Sequence, residues 1–225
     1  MDRVKISQPQ ADFPEYMKKW LYNHSLSLVF LAAFCASLIG SSVVGVPSYN
    51  KTLNSHGRPS IGFSGYIRTG DFLDGALCNW QAAILQLTCL ILGGKIFHQI
   101  GAPHSRKPEG DSAANAKKDS AGASWLYRNS LSIAFGIMFV VTMLGHIVFG
   151  TRAFNEANAL IGQSPVSTGN YVLTANFWSK TLLTWQAEFG ALVLYVILSV
   201  YLRQEGSPES KPVNSSNTET GEANK

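Results

Sequence analysis

The chain has 225 residues, enough for one compact domain, and a formal net charge of +4. Only 14% of the residues are charged, against roughly 25% in soluble domains, but the apolar share of 46% is ordinary, so composition hides what the position of the apolar residues reveals. Its three cysteines, Cys35, Cys78 and Cys89, are irregularly spaced and give no disulfide framework.

In chain order, a basic N-terminal tail (residues 1–19) precedes a first apolar run, Leu26 to Val46, which lies between Lys19 and Lys51. A second run extends from Ala76 to Gly94, bounded by Asp74 and Lys95. The third covers Leu131 to Thr151, between Arg128 and Arg152. The fourth covers Thr181 to Leu202, between Lys180 and Arg203, and carries one acid, Glu188. A bilayer crossing needs about 20 mostly apolar residues, and all four runs meet that length. The first run is too long, and too far from the start, for a signal peptide. The stretch 101–124, rich in Ala, Ser, Lys, Asp and Gly, reads as a disordered linker, and the tail 206–225 reads the same way. Gly57 and Gly162 are expected to end short helical extensions into the outer loops. Tyr66 to Phe72 and Tyr171 to Trp178 read as short interfacial helices.

Residues 20–105 align with 125–210 at a constant offset of 105, without a gap and with 25 identities. Trp20-Leu21-Tyr22 falls on Trp125-Leu126-Tyr127, Gly40 and Gly45 on Gly145 and Gly150, and Trp80-Gln81-Ala82 on Trp185-Gln186-Ala187. Gln99, Gly101, Pro103 and Ser105 fall on Gln204, Gly206, Pro208 and Ser210. Each unit, 20–100 and 125–205, is helix, outer loop, helix. An even number of spans per unit gives both units one orientation. The expectation is an all-α membrane four-helix bundle of two tandem helix-loop-helix repeats, packed as parallel repeats about a pseudo-twofold axis along the membrane normal.

The N-terminal tail, linker and C-terminal tail hold 13 Lys and Arg, and the two inter-span loops hold five. That asymmetry places both termini in the cytoplasm. The basic balance then reflects topology and anionic lipid, with the bilayer as partner and no nucleic acid. Trp20, Trp80, Trp125 and Trp185 lie at span ends, as interfacial anchors do.

An acid inside a span pairs, meets water, or has a function. By count from the expected span ends, Glu188 and His146 lie at similar depth, with Arg152 and Gln186 nearby. These four form the candidate polar site: Glu188 caps loop amides, pairs with His146 or Arg152, or serves a proton or solute path. His24 and His98 have no His at the matching repeat positions, which argues against haem, and no zinc spacing, phosphate loop or nucleophile turn occurs. The chain is therefore expected to need no cofactor and not to be an enzyme.

Trp185-Gln186-Ala187-Glu188-Phe189, the run Arg203-Gln204-Glu205-Gly206-Ser207-Pro208-Glu209-Ser210-Lys211-Pro212, and Asn129-Ser130-Leu131-Ser132 resemble a family of uncharacterised bacterial membrane proteins. That family is known only as a domain of unknown function and carries Trp-Gln-x-Glu and Gly-Ser-Pro-Glu-Ser-Lys motifs in two copies. The resemblance implies a membrane location and bacterial origin, and no reaction. The first half departs from the pattern: Ala83 replaces the acid, His104 stands in Gly101-Ala102-Pro103-His104-Ser105, and Ser41 and His146 stand where the family more often has Gln. The resulting expectation is a multi-pass protein of the bacterial inner membrane with a packing, scaffolding or envelope role, as a possible homo-oligomer. The competing one is a small transporter or channel subunit that uses Glu188 and His146.

Overall fold

The computed structural model describes residues 14–105 and 122–221. Most of the expected N-terminal tail, the middle of the linker (106–121) and residues 222–225 lie outside the described residues. All regular structure among the described residues is helical: α1 Glu15–Asn23, α2 Ser25–Ser55, α3 Phe63–Tyr66, α4 Gly70–Ile96, α5 Trp125–Arg128, α6 Ser130–Leu160, α7 Thr168–Val172 and α8 Ala175–Tyr201. Helices α2, α4, α6 and α8 are each long and apolar enough to cross a membrane. The chain divides into two compact units, residues 1–66 and 67–225, which are taken in turn.

In the first unit, α1 passes into α2 through His24, whose ring Nδ1 bonds the Trp20 carbonyl at 2.8 Å and stacks on the Trp20 indole. Helix α2 spans 31 residues, about 46 Å at 1.5 Å per residue, well over the ~30 Å apolar thickness of a bilayer. Its last turns therefore run past the apolar stretch that ends at Val46, as the expected helical extension does. They stop at Gly57, whose φ of +69° is a left-handed conformation that favours glycine. The Asn50 amide then pins the returning loop, donating to Ile61 O at 2.9 Å and accepting from Ile61 N at 2.8 Å. Tyr66 closes the unit, its ring against Tyr49.

In the second unit the same devices recur 105 residues on. Helix α6 has 31 residues and stops at Gly162, φ +71°. The Asn155 amide pins Val166 as Asn50 pins Ile61, and Tyr171 packs on Phe154. Helices α4 and α8, of 27 residues each, start on Thr69 and Thr174, whose hydroxyls accept from Phe72 N and Phe177 N. The segments Tyr66 to Phe72 and Tyr171 to Trp178 are thus not separate helices. The short helix α3 ends on Tyr66 and α7 runs one residue past Tyr171, and the phenylalanines lie in the first turns of α4 and α8. Helix α4 is the centre of this unit, packed against α6 and α8.

The surface and core are inverted relative to a water-soluble protein. Large apolar side chains such as Leu131, Val140, Val141, Leu183 and Leu194 are more than half exposed, whereas the buried set of this unit includes Asp74, Gln81, Thr142, His146 and Thr181. Exposed apolar surface on this scale needs a lipid or protein cover, and polar residues facing inward are what spans in lipid show.

The tail expected to be disordered is folded from Gly206 to Gly221. The Lys211 ammonium, 2% exposed, donates to the carbonyls of Ser216, Asn217 and Glu219. Arg203 reaches Ser215 O and Asn217 Oδ1. Thr220 Oγ1 accepts from Gly101 N, and Gly221 N donates to Ala102 O. Polar residues without an apolar core are ordered here because the loop wraps its own carbonyls around one cation and splices into the turn after α4.

Candidate functional site

The α4 face that meets the other helices carries Gly70, Asp74, Cys78, Gln81 and Ala82, spaced three to four apart, so one stripe of the helix is small and polar. Gly70 brings the backbones of α4 and α6 together, since a Cβ there would overlap Ala153 and Arg152. That close approach puts Asp74 against His146 of α6. The His146 Nδ1 donates to Asp74 Oδ1 at 2.6 Å, and both side chains are at most 2% exposed. On the other side of the acid, Lys180 of α8 forms an ion pair with Asp74 Oδ2, its own side chain 40% exposed. Nε2 of His146 lies 3.0 Å from Thr181 Oγ1, and Thr181 Oγ1 lies 2.8 Å from Phe177 O.

This chain of bonds has two consistent settings. With the Thr181 proton on Phe177 O, Nε2 must carry a proton too, and the ring is an imidazolium between a carboxylate and a hydroxyl. With the Thr181 proton turned onto Nε2, the ring is neutral. The two differ by one proton on Nε2 together with a rotation of the Thr181 hydroxyl. The Phe177 ring stacks on His146 at 5.1 Å, and Tyr171 meets Phe177 edge-on. Gly150 leaves room for both neighbours, because a Cβ there would lie 2.8 Å from Asp74 Oδ1 and 2.8 Å from Tyr171 OH. Tyr171, in the loop helix, has its phenol pushed up to about 12 by burial first and by the Asp74 charge second.

One and two turns further along α4, the bonding continues. Cys78 Sγ faces Thr184 Oγ1 at 3.6 Å, and Gln81 accepts from Trp185 Nε1 at 2.9 Å while donating to Cys78 O. Among the described residues, no group of three or more His, Cys, Asp or Glu is arranged to hold a metal ion.

Of the four residues expected to form the site, only His146 lies in it. Among the described residues Glu188 makes no side-chain hydrogen bond or ion pair, and it is half-buried; its carbonyl accepts from Gln86 at 3.0 Å. It sits seven residues beyond Thr181, about 10 Å deeper along α8, so it does not share the level of His146. The expected equal depth fails because α6 continues nine residues past Thr151 and α8 begins six before Thr181. Arg152 pairs with Glu156 one turn on, at 2.8 Å, and Glu156 also accepts from Gly70 N at the start of α4. Gln186 is exposed, and its repeat counterpart Gln81 holds the buried place. Trp185 turns its N–H inward to Gln81, while Trp20 and Trp125 are half or more exposed and Trp80, ten residues into α4, is 37% exposed.

Asp74, Lys180, Thr181 and Cys78 were missed. For Asp74 and Lys180 a signal exists in the repeat itself: Asp74 stands opposite Ser179 and Lys180 opposite Gly75, as His146 stands opposite Ser41. Three ionisable residues each lack a counterpart, and all three meet.

A family model described as a domain of unknown function (DUF6766) matches residues 17–222. No curated protein and no solved structure matches the chain significantly.

Proposed function

The chain belongs to the DUF6766 family, a domain of unknown function, and from that premise we propose a non-enzymatic, multi-pass protein of the bacterial inner membrane, with both termini cytoplasmic, in which the Asp74–His146–Lys180 cluster locks three helices together. The observation that carries this reading is that His146 is fully buried with both ring nitrogens bonded across α4 and α8. Such an arrangement fixes helix register where apolar packing in lipid does not discriminate. The sequence repeat supports a pseudo-twofold relation between the two helix pairs, with a scaffolding or envelope role for the loops and tails and with self-association as one form of it.

The competing reading is a transporter or channel subunit. One feature favours it: Lys180 is partly exposed and connects through Asp74 to a ring that sits in the bundle. The test is an Asp74→Asn and His146→Gln pair in the full chain, with membrane abundance, thermal stability and proton flux into proteoliposomes all measured. A lock lowers abundance and stability and leaves flux at the level of empty vesicles. A wild-type flux abolished by either variant at unchanged abundance would replace the lock with a conduit. Reporter fusions at Ser112 and Gly162 test orientation: activity of the Ser112 fusion outside the cytoplasm would reverse the topology.

A further inference from the structure

The packing of α4 on α6 includes three close contacts. A Cβ at Gly70 would lie 2.3 Å from Ala153 N, Asp74 meets His146, and the Leu77 side chain fills the notch at Gly145, where a Cβ would lie 2.9 Å from Leu77 Cδ1. Moved forward by the repeat offset of 105, α4 falls on α8; moved back by the same offset, α6 falls on α2. The three pairs then read Ala175 with Ser48, Ser179 with Ser41, and Leu182 with Gly40. All six of these residues are exposed. Leu182 is 53% exposed, and a Cβ at Gly40 would meet nothing within 4 Å. The chain thus carries a second knob on α8 and a second notch on α2, both uncovered.

The packing of α4 on α8 joins matching positions as well. His104 and Glu209, 105 apart in sequence, face each other at 3.3 Å in the turns after the two helices, and the Tyr195 hydroxyl is bonded to both. Residues that meet their own counterparts lie beside a twofold relation. Under that relation, the place that α6 takes on α4 recurs on α8.

We propose that α8 of one chain receives α2 of a second copy, in the register that sets Leu182 over Gly40. This inference rests on the membrane reading above and names the surface of its self-association. The contact continues an established interface: α4 is already packed on α6 and α8, and α2 is the helix that the repeat matches to α6. Helices α2 and α8 run in opposite senses along the chain's path, as α6 and α4 do, so two copies inserted in one orientation present them correctly. About a twofold axis along the membrane normal, each copy gives its α2 and receives the other's, which closes the assembly at two. Gly40, Ser41, Ser48 and Ser179 are small enough for helices to approach closely in lipid, and their hydroxyls can bond across the contact. Ala175 carries the Cβ that Gly70 lacks, so this crossing is wider at its outer end than that of α4 and α6.

The experiment is oxidative cross-linking in membranes that hold two differently tagged full chains, both with Cys35→Ser and Cys89→Ser; Cys78 is kept, being fully buried. One chain carries Ser48→Cys and the other Ala175→Cys. The expected product is a disulfide that joins the two tags, since this pair comes within the roughly 4–7 Å Cα separation that a disulfide takes. Asn176→Cys, exposed at the same depth but turned away by one residue, should give far less of it. Gly40→Leu enters open space in the single chain and should keep its abundance while lowering the cross-linked yield about tenfold. Leu182→Ala on the facing chain should restore part of that yield. A chain with both cysteines, diluted among chains with neither, should form no disulfide within itself. An internal disulfide there, equal yields from Ala175→Cys and Asn176→Cys, or an unchanged yield in Gly40→Leu would overturn the proposal. Carbonate extraction of the same cells separates the premises: a chain released as soluble defeats the membrane reading and this proposal with it, and a membrane-retained chain with no disulfide between the tags defeats this proposal alone.

Discussion

Removing the Asp74 carboxylate isolates what the buried cluster contributes. In Asp74→Ala the Nδ1–H of His146, at 0% exposure, loses a charge-assisted bond, worth about 1.5–3 kcal/mol, and is left without an acceptor in a dry site. Lys180, with 40% of its side chain exposed, rehydrates instead, and an ion pair of that exposure contributes only about 0–1 kcal/mol. The combined loss is about 3–5 kcal/mol, the range for breaking one side of a buried pair. Asp74→Asn keeps a carbonyl oxygen for His146 and turns an amide toward Lys180, so its cost should be about 1–2 kcal/mol. The assay is reversible unfolding of the full chain in mild detergent, run as a cycle of Asp74→Ser, His146→Ser and the double variant. Serine is the residue the chain itself places at the matching positions, 179 and 41. A coupling of about 1.5 kcal/mol or more is expected. Additive effects, or an Asp74→Ala loss below about 1 kcal/mol, would mean that the cluster sits in the bundle without holding it.

Two further outcomes follow from the loops. Tyr171 has its phenol raised from 10.0 to about 12; a raised acid favours the folded state while protonated, so its contribution is full below pH 10 and is lost as pH rises from about 10 to 12, and ultraviolet titration of Tyr171→Phe should lack one late-ionising phenol while losing less stability over that window. His104→Glu sets two carboxylates where His104 and Glu209 now stand 3.3 Å apart; both positions are partly exposed, so the cost is below about 1 kcal/mol, read as faster proteolysis within residues 206–221, which Glu209→Gln in the same chain should restore to the wild-type rate.

The helices were legible because runs free of Lys and Arg mark apolar length, and that signal survives without any structure. The stops at Gly57 and Gly162 were legible too, whereas the polar residues that α6 carries past its apolar run, Arg152, Asn155 and Glu156, gave no measure of how far the helix goes. There Arg152 and Glu156 pair along one helix face and Asn155 serves the loop backbone, so polar character and helical conformation coexist above the apolar layer. The same gap hid the site. Asp74 and Lys180 look like charges that bound a span, yet the helices begin before them and carry both into contact with His146. Glu188 drew attention as an acid within an apolar run, but isolation in sequence is no measure of burial, and its carboxylate meets none of the cluster. The folded tail was illegible for a different reason: its order comes from hydroxyls and carbonyls closing around Lys211, a pattern that composition scores as disorder.

The meeting of His104 and Glu209 has an implication for how such a protein is put together. Where two identical subunits associate about a twofold axis, any residue close to that axis confronts a copy of itself, so an acid there opposes an acid and a base opposes a base. A single chain that carries both halves is released from that constraint, since position 104 and position 209 are encoded separately. It can set imidazole against carboxylate and let one tyrosine, Tyr195, serve both, a tyrosine whose counterpart is Leu90. The asymmetry that disturbs the repeat at this contact is therefore a freedom that covalent fusion grants and that a dimer of separate two-helix chains would lack.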